Sequence, residues 1–319
     1  MNKPVKKILT LSTLLLAGMQ LINEYTDVCI SPIHPSKEDK TFFWKDLKIN
    51  YAEKGNENNP PLLLLHHLYP TSSKEEWHHI DDTLASKFHI FELDLPGCGK
   101  SSKPNITYIN YMYVELINDF IKKVIGKKTS ICAAAFSSSF TFMTARIYPE
   151  IIDKIIVIHP TNIEELYTTV SKESKIKEKI LEIPIIGTFL YNCMMSKSAI
   201  SDCHKYKYYY NEKNISEHMI DISYFNAHYK HSSGKYLLGS ILANYTNINI
   251  IHALPKIHKE IYLIGNENAK KTFQEYKKYN ENIYPIYVSH CGLLPQLEIP
   301  ETISDKIIQI FLKTPHPAS

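Results

Sequence analysis

The residues best suited to do chemistry in this chain come directly after an apolar run. Ser130-Ile131-Cys132-Ala133-Ala134 is followed by Ala135-Phe136-Ser137-Ser138-Ser139, which leaves Ser137 flanked by small residues just past a strand-like segment. A serine hydroxyl attacks an acyl carbon only when a histidine takes its proton and an acid orients that histidine. Histidine is plentiful, at 15 residues. Other chemistries find no such starting point. The six cysteines, at 29, 98, 132, 193, 203 and 291, form no Cys-x-x-Cys pair, so neither a zinc site nor a redox motif is expected. Cys132 reads as a small core residue, while Cys193 and Cys203 flank a short segment and could pair in an oxidising compartment. The Gly265-Asn266-Glu267-Asn268 segment lacks the further glycines of a dinucleotide turn, and no phosphate loop occurs. A net charge of +3 with no basic stripe argues against nucleic acid. No metal and no cofactor are expected.

The elements that must position these residues follow from hydrophobic pattern. Residues 41–55 read as two short strands joined by a turn. Residues 61–67, PLLLLHH, form a continuous apolar strand of the kind buried on both faces of a parallel sheet. FHIFELD, ending at Asp94, is the next such strand, and a glycine-proline loop, DLPGCGKSSKP, follows it. Tyr113, Leu116, Ile117, Phe120, Ile121 and Val124 keep helical spacing, so a helix is predicted there. SICAA is a strand, 136–148 a helix and KIIVIHP a strand. The same rhythm returns in EIYLIGN (strand), AKKTFQEYKK (helix), NIYPIYV (strand) and ETISDKIIQIFLK (helix). Strands alternating with helices imply a parallel sheet with right-handed crossovers. Residues 161–255 break the rhythm with helical stretches and a Tyr-rich segment, KYKYYY at 205–210. They read as a helical cap inserted into a core of residues 40–160 and 256–319. The tyrosines are expected to cover surface with their hydroxyls in water rather than line a pocket.

Residues 1–39 stand apart. Lys3, Lys6 and Lys7 precede an apolar run from Ile8 to Ile22, a signal-like pattern with no Ala-x-Ala cleavage site close behind it. An uncleaved membrane anchor is expected, followed by a polar linker over about 23–39, with the folded domain outside the cytoplasm. A buried or amphipathic helix is the alternative.

In this order the segments resemble the α/β-hydrolase superfamily over residues 41–314. LLLLHH matches the apolar strand that ends in His-Gly. DLPGCGKSSKP is close to the Asp-x-Pro-Gly-x-Gly-x-Ser loop. RIYPEIIDKIIVI is similar to the helix end and strand beyond the nucleophile turn, and CGLLPQLEIPE to the segment bearing the catalytic histidine. The resemblance implies an α/β fold with a mostly parallel central sheet, helices on both faces and a helical cap.

It also implies where a triad should lie, and two registers stay open. An ungapped count from Gly126 to Tyr148-Pro149-Glu150 puts Ala135 at the nucleophile position, with Ala133 and Ser137 as the flanking small residues. Leu293 then takes the base position and Asn268 the acid position, and none of the three can do the family's chemistry. The other register makes Ser137 the nucleophile and His290 the base, with Glu267 or a cap carboxylate as orienter. It needs a strand two residues longer. A second acid position, after KIIVIHP, offers only Pro160, Thr161 and Asn162, with Glu164 and Glu165 beginning the cap. Where the family has His-Gly, this chain has His66-His67. The oxyanion donors would be the N–H groups of Leu68 and Phe136, and a pocket of His66, His67, Leu68 and Phe136 is expected.

The expected function is accordingly a catalytically inactive hydrolase-fold protein with a binding or interaction role at the membrane, its small acyl or apolar ligand held under the cap. A serine hydrolase of esters or similar acyl substrates, using Ser137 and His290, is the alternative. A lyase or cofactor-free oxygenase is disfavoured, because such family members keep the histidine that Leu293 replaces.

Overall fold

The structure, a computed structural model, describes residues 3–30 and 39–312. A 26-residue helix, α1 (Lys3–Val28), comes first. β1 (Asp39–Trp44), β2 (Leu47–Lys54) and β3 (Pro61–Leu65) follow. Then come the short α2 (Asp81–Ala85), β4 (His89–Leu93), α3 (Asn110–Phe120), β5 (Thr129–Ala134), α4 (Ser137–Ile147) and β6 (Ile152–Ile158). Six helices intervene: α5 (Ile163–Leu166), α6 (Lys172–Glu182), α7 (Ile186–Met194), α8 (Lys197–Cys203), α9 (Glu217–Ser232) and α10 (Gly234–Leu242). β7 (Ile261–Gly265), α11 (Lys270–Tyr279), β8 (Ile283–Tyr287), α12 (Pro295–Glu298) and α13 (Pro300–Leu312) close the fold.

One eight-stranded sheet runs in the order β1-β2-β4-β3-β5-β6-β7-β8. β1, β2 and β4 pair antiparallel, and every pair from β4 to β8 is parallel. The four leucines of β3 show why this strand lies at the centre. Leu63 and Leu65 point into the core on one face, Leu62 and Leu64 into the core on the other, and all four are inaccessible. Burying each contributes about 1.5–3 kcal/mol, a gain open only to a strand covered by helices on both sides. The intervening helices have their own small core, in which Leu181, Tyr191, Met195, Ile200, Ile220 and Leu238 meet.

Gly99 fixes the loop after β4. Its φ is +47°, and a Cβ there would lie 2.3 Å from the Asp94 carboxylate. That carboxylate accepts hydrogen bonds from the backbone N–H of Lys74 and Lys100 and from the Asn50 side chain, so it knits three segments together.

The structure corrects several local expectations. Residues 23–28 continue α1 instead of forming a linker, because Asn23 and Thr26 are buried against the protein; residues 31–38 lie outside the described ones. The helix expected over 113–124 begins at Asn110 and ends in a wider π turn, Ile121–Ile125, closed by left-handed Gly126. Cys193 and Cys203 are both free. In the Tyr-rich segment, Tyr206 and Tyr210 are exposed and Tyr208 and Tyr209 buried, but all four line a cavity, against the expectation that they only cover surface.

Candidate ligand site at the strand ends

β5 ends at Ala134, and the chain turns sharply through Ala135, whose φ is +45°, before α4 begins at Ser137. A non-glycine residue in this region is strained by about 1–3 kcal/mol. A strained strand-to-helix corner of this kind lifts one side chain out over the end of the sheet. That side chain is the methyl group of Ala135. The Ser137 register would need this corner two residues later, where the backbone is already helical.

Ala135, Asn268 and Leu293 come together, lining one cavity of about 890 Å³. Ser137 and His290 do not come together. Ser137 is wholly buried, and its Oγ donates a 2.6 Å hydrogen bond to the His66 carbonyl. His290 lies exposed, its ring edge-on to Tyr210 at 5.7 Å between centroids. Glu267 is exposed in a short turn and absent from the cavity wall, whereas Pro160, Thr161, Asn162 and Glu165 are part of it.

His67, Leu68 and Phe136 line the cavity, but His66 lies behind it. The His66 ring donates from Nδ1 to the His67 carbonyl (2.7 Å) and accepts the Leu95 N–H at Nε2 (3.0 Å), so its tautomer is fixed. The neighbouring His67 ring stands where the family pattern leaves open backbone. Its Nδ1 accepts a long hydrogen bond, 3.4 Å, from the Phe136 N–H, the donor that would otherwise face a developing oxyanion. Its own N–H donates to Glu76 Oε2 (2.9 Å), and its ring stacks on Tyr69. Burial, helped by His66 and Lys207, pushes the His67 imidazole down to about 3, so the ring is neutral near pH 7.

His159 is a site residue that pattern reading passed over. It follows β6 with φ +45° and lies in the cavity wall, where burial lowers its imidazole to about 4. Its Nε2 accepts the Asn266 N–H (3.1 Å), and the Asn266 side chain donates to the Cys291 carbonyl (2.7 Å). The ends of β6 and β7 and the loop before α12 are thereby tied together. The available signal was a lone histidine directly after a buried strand. Asn244 and Asn247, from the turn after α10, also reach the cavity and carried no motif at all. The Asn247 amide donates to the Glu165 and Thr168 carbonyls, which ties the start of the cap to the turn after α10. Among the described residues no group of three or more His, Cys, Asp or Glu side chains is placed to hold a metal ion.

The roof of the cavity is fastened down. Leu293 N–H donates to the Lys207 carbonyl (3.0 Å), and the Glu298 carboxylate accepts from the backbone N–H groups of Tyr210, Asn211 and Gly292. Carboxylate–amide bonds of this kind are stronger than neutral pairs. The loop that would carry a catalytic base is therefore spent on holding the Tyr-rich segment.

Comparison with known proteins agrees with this architecture. A family described as alpha/beta hydrolase fold matches residues 60–181. An uncharacterized hydrolase of Saccharomyces cerevisiae is 31% identical over 120 residues, which are 37% of this chain and 41% of the yeast protein. The match thus spans about two fifths of that relative's length. A serine hydrolase involved in carbazole degradation superposes with a TM-score of 0.69 at 15% identity, over 86% of this chain and 99% of its own. A bacterial membrane phospholipase A superposes with a TM-score of 0.66 at 17% identity, over 97% and 94%. An epoxide hydrolase gives 0.68 at 17% identity, over 86% and 98%. Such identities speak for the fold alone. With its strand order, its strained corner after β5 and these matches, the chain is an α/β-hydrolase-fold protein.

Proposed function

We propose that this chain is a non-catalytic member of its fold, tethered to a membrane through α1, which binds a small molecule in the cavity under α5–α10. The observation that carries the reading is the pairing of His67 Nδ1 with the Phe136 N–H beside the bare methyl group of Ala135. Nucleophile and oxyanion donor are lost at the same point. Loss of a nucleophile or base costs on the order of 10⁶ in turnover. The residual catalysis of binding and an oxyanion hole, about 10³–10⁴ over water, needs the donor that His67 occupies. The small acyl or apolar ligand expected from sequence would meet a mixed wall, with five asparagines (162, 244, 247, 266 and 268) among the lining residues. These favour a ligand carrying hydroxyl or amide groups as well as apolar surface.

The second reading, an ester hydrolase using Ser137 and His290, would require Ser137 to leave its bond to His66 and His290 to swing in from the surface. Turnover of p-nitrophenyl acetate and butyrate separates the two. The wild-type protein, Ser137→Ala and His290→Ala should all run at the rate of buffer. Turnover that falls in either variant would support the hydrolase.

A further inference from the structure

The uninterrupted apolar run of α1 is shorter than the 26-residue helix that carries it, although by length and composition the whole helix is long enough to cross a membrane. Ile8–Ile22 is 15 residues, or about 22 Å of helix at 1.5 Å per residue, against a hydrocarbon core about 30 Å thick. None of the run is buried, and residues 8–17 are exposed. Its C-terminal end is pinned to the protein. Asn23 donates to the Ile185 carbonyl (3.1 Å) and accepts from the Asn192 side chain (3.0 Å), which in turn accepts from Ser232 Oγ (2.7 Å). Asp27 pairs with His231 at 2.8 Å one turn further on. α1 packs on α7 and α9. α7 is thus the part of the cap held against the base of α1.

The surface next to this attachment is apolar. On α6, Ile176 and Ile180 stand one turn apart and are 59% and 40% exposed, and Ile183, just past the helix end, is 42% exposed; on α7, Leu190 and Met194 are 38% and 45% exposed. The two helices meet at a tight corner, where a Cβ on Gly187 would lie 2.1 Å from the Leu181 carbonyl. Lys172, Lys175, Lys177 and Lys179 flank the isoleucine stripe on α6, against Glu173 and Glu182. An exposed apolar stripe edged by lysines is the pattern of a helix lying in a membrane interface, with lysine stems in the acyl boundary and ammonium groups at phosphate level.

We infer that the α6–α7 face is a bilayer-docking surface: these two helices sink into the headgroup–acyl boundary of a phospholipid membrane beside α1. The inference rests on the membrane reading of α1. Interfacial helices bury about 5–10 Å, so this face would give the protein a second, shallow attachment beside α1. The cavity mouth is then held at a fixed height above the lipid, with the cap turned toward it.

Tryptophan quenching tests this on the full chain in phosphatidylcholine–phosphatidylglycerol liposomes whose lipids carry bromine near the headgroup end of the acyl chain. The two native tryptophans, Trp44 and Trp77, are buried in the core and give a constant background. Ile180→Trp and Leu190→Trp place reporters on the docking face, Leu11→Trp reports on α1, and Tyr111→Trp reports on an exposed face of the core. The expected result is loss of most of the added emission for the positions 11, 180 and 190, with position 111 unquenched. Quenching at 11 but not at 180 or 190 would overturn the inference and leave the anchor standing. Blue-shifted yet unquenched emission at 180 and 190 would overturn it in favour of a protein partner on that face. No quenching anywhere would overturn both the inference and the anchor.

Discussion

The imidazole of His67 lies with Nδ1 3.4 Å from the backbone nitrogen of Phe136, so a side chain takes up the donor that faces the strained corner at Ala135. On the proposed reading Ala135, Asn268 and Leu293 stand where a triad would, and the His67 contact takes up an oxyanion donor beside them. It follows that restoring the triad side chains alone should not restore chemistry.

The triple variant Ala135→Ser, Asn268→Asp, Leu293→His is therefore expected to stay near background on p-nitrophenyl acetate. Adding His67→Gly should raise its turnover by about 10²–10³, the usual worth of an oxyanion-hole donor. A triple variant already as active as the quadruple one would show that His67 does not block the site.

Ser137 serves structure in this account. Removing its hydroxyl leaves the buried His66 carbonyl without a partner, so Ser137→Ala should cost about 1–3 kcal/mol, read from the urea midpoint, with ligand binding in the cavity unchanged.

Glu298 holds three backbone amides. Glu298→Ala is expected to cost on the order of 3 kcal/mol and to open residues 205–214 to protease well before the core strands are cut. Equal protection in both proteins would mean that the Tyr-rich segment is held by packing alone.

Glu76 and Glu92 are pushed up to about 8 chiefly by burial. A carboxyl raised in the folded state contributes stability that is complete below its unfolded value, near 4.5, and is lost as pH rises through about 8. His67 and His159 act in the opposite sense. Depressed to about 3 and 4, they make the fold lose stability as pH falls from about 6.5 toward those values. Stability should thus peak in mildly acidic to neutral buffer. Glu76→Gln keeps the acceptor for the His67 N–H and removes one titration, so thermal melts should show the variant gaining on wild type between pH 6 and pH 9.

Much of the scaffold was legible because it depends on local pattern. Four consecutive leucines can be satisfied only in a strand covered on both faces, and an ungapped count from Gly126 placed Ala135 at the corner where φ turns positive. What escaped depends on partners distant in sequence. Asn23 and Thr26 read as linker because they are polar, yet Asn23 is buried by bonds to Ile185 and Asn192, more than 160 residues away. Tyr208 and Tyr209 are buried while Tyr206 and Tyr210 are not, since the segment passes under the Glu298 clamp rather than lying flat on the surface. His66-His67 signalled a changed oxyanion segment, but nothing in the sequence set which ring would turn inward. Asn244, Asn247 and His159 reach the cavity through turns that carry no motif.

Intact-mass spectrometry after treatment with a fluorophosphonate probe tests the central claim most directly. On the proposed reading wild-type protein should keep its unmodified mass, since the corner residue is Ala135 and the Ser137 hydroxyl is buried against the His66 carbonyl. A stoichiometric adduct that disappears in Ser137→Ala would contradict the account and make the protein a serine hydrolase.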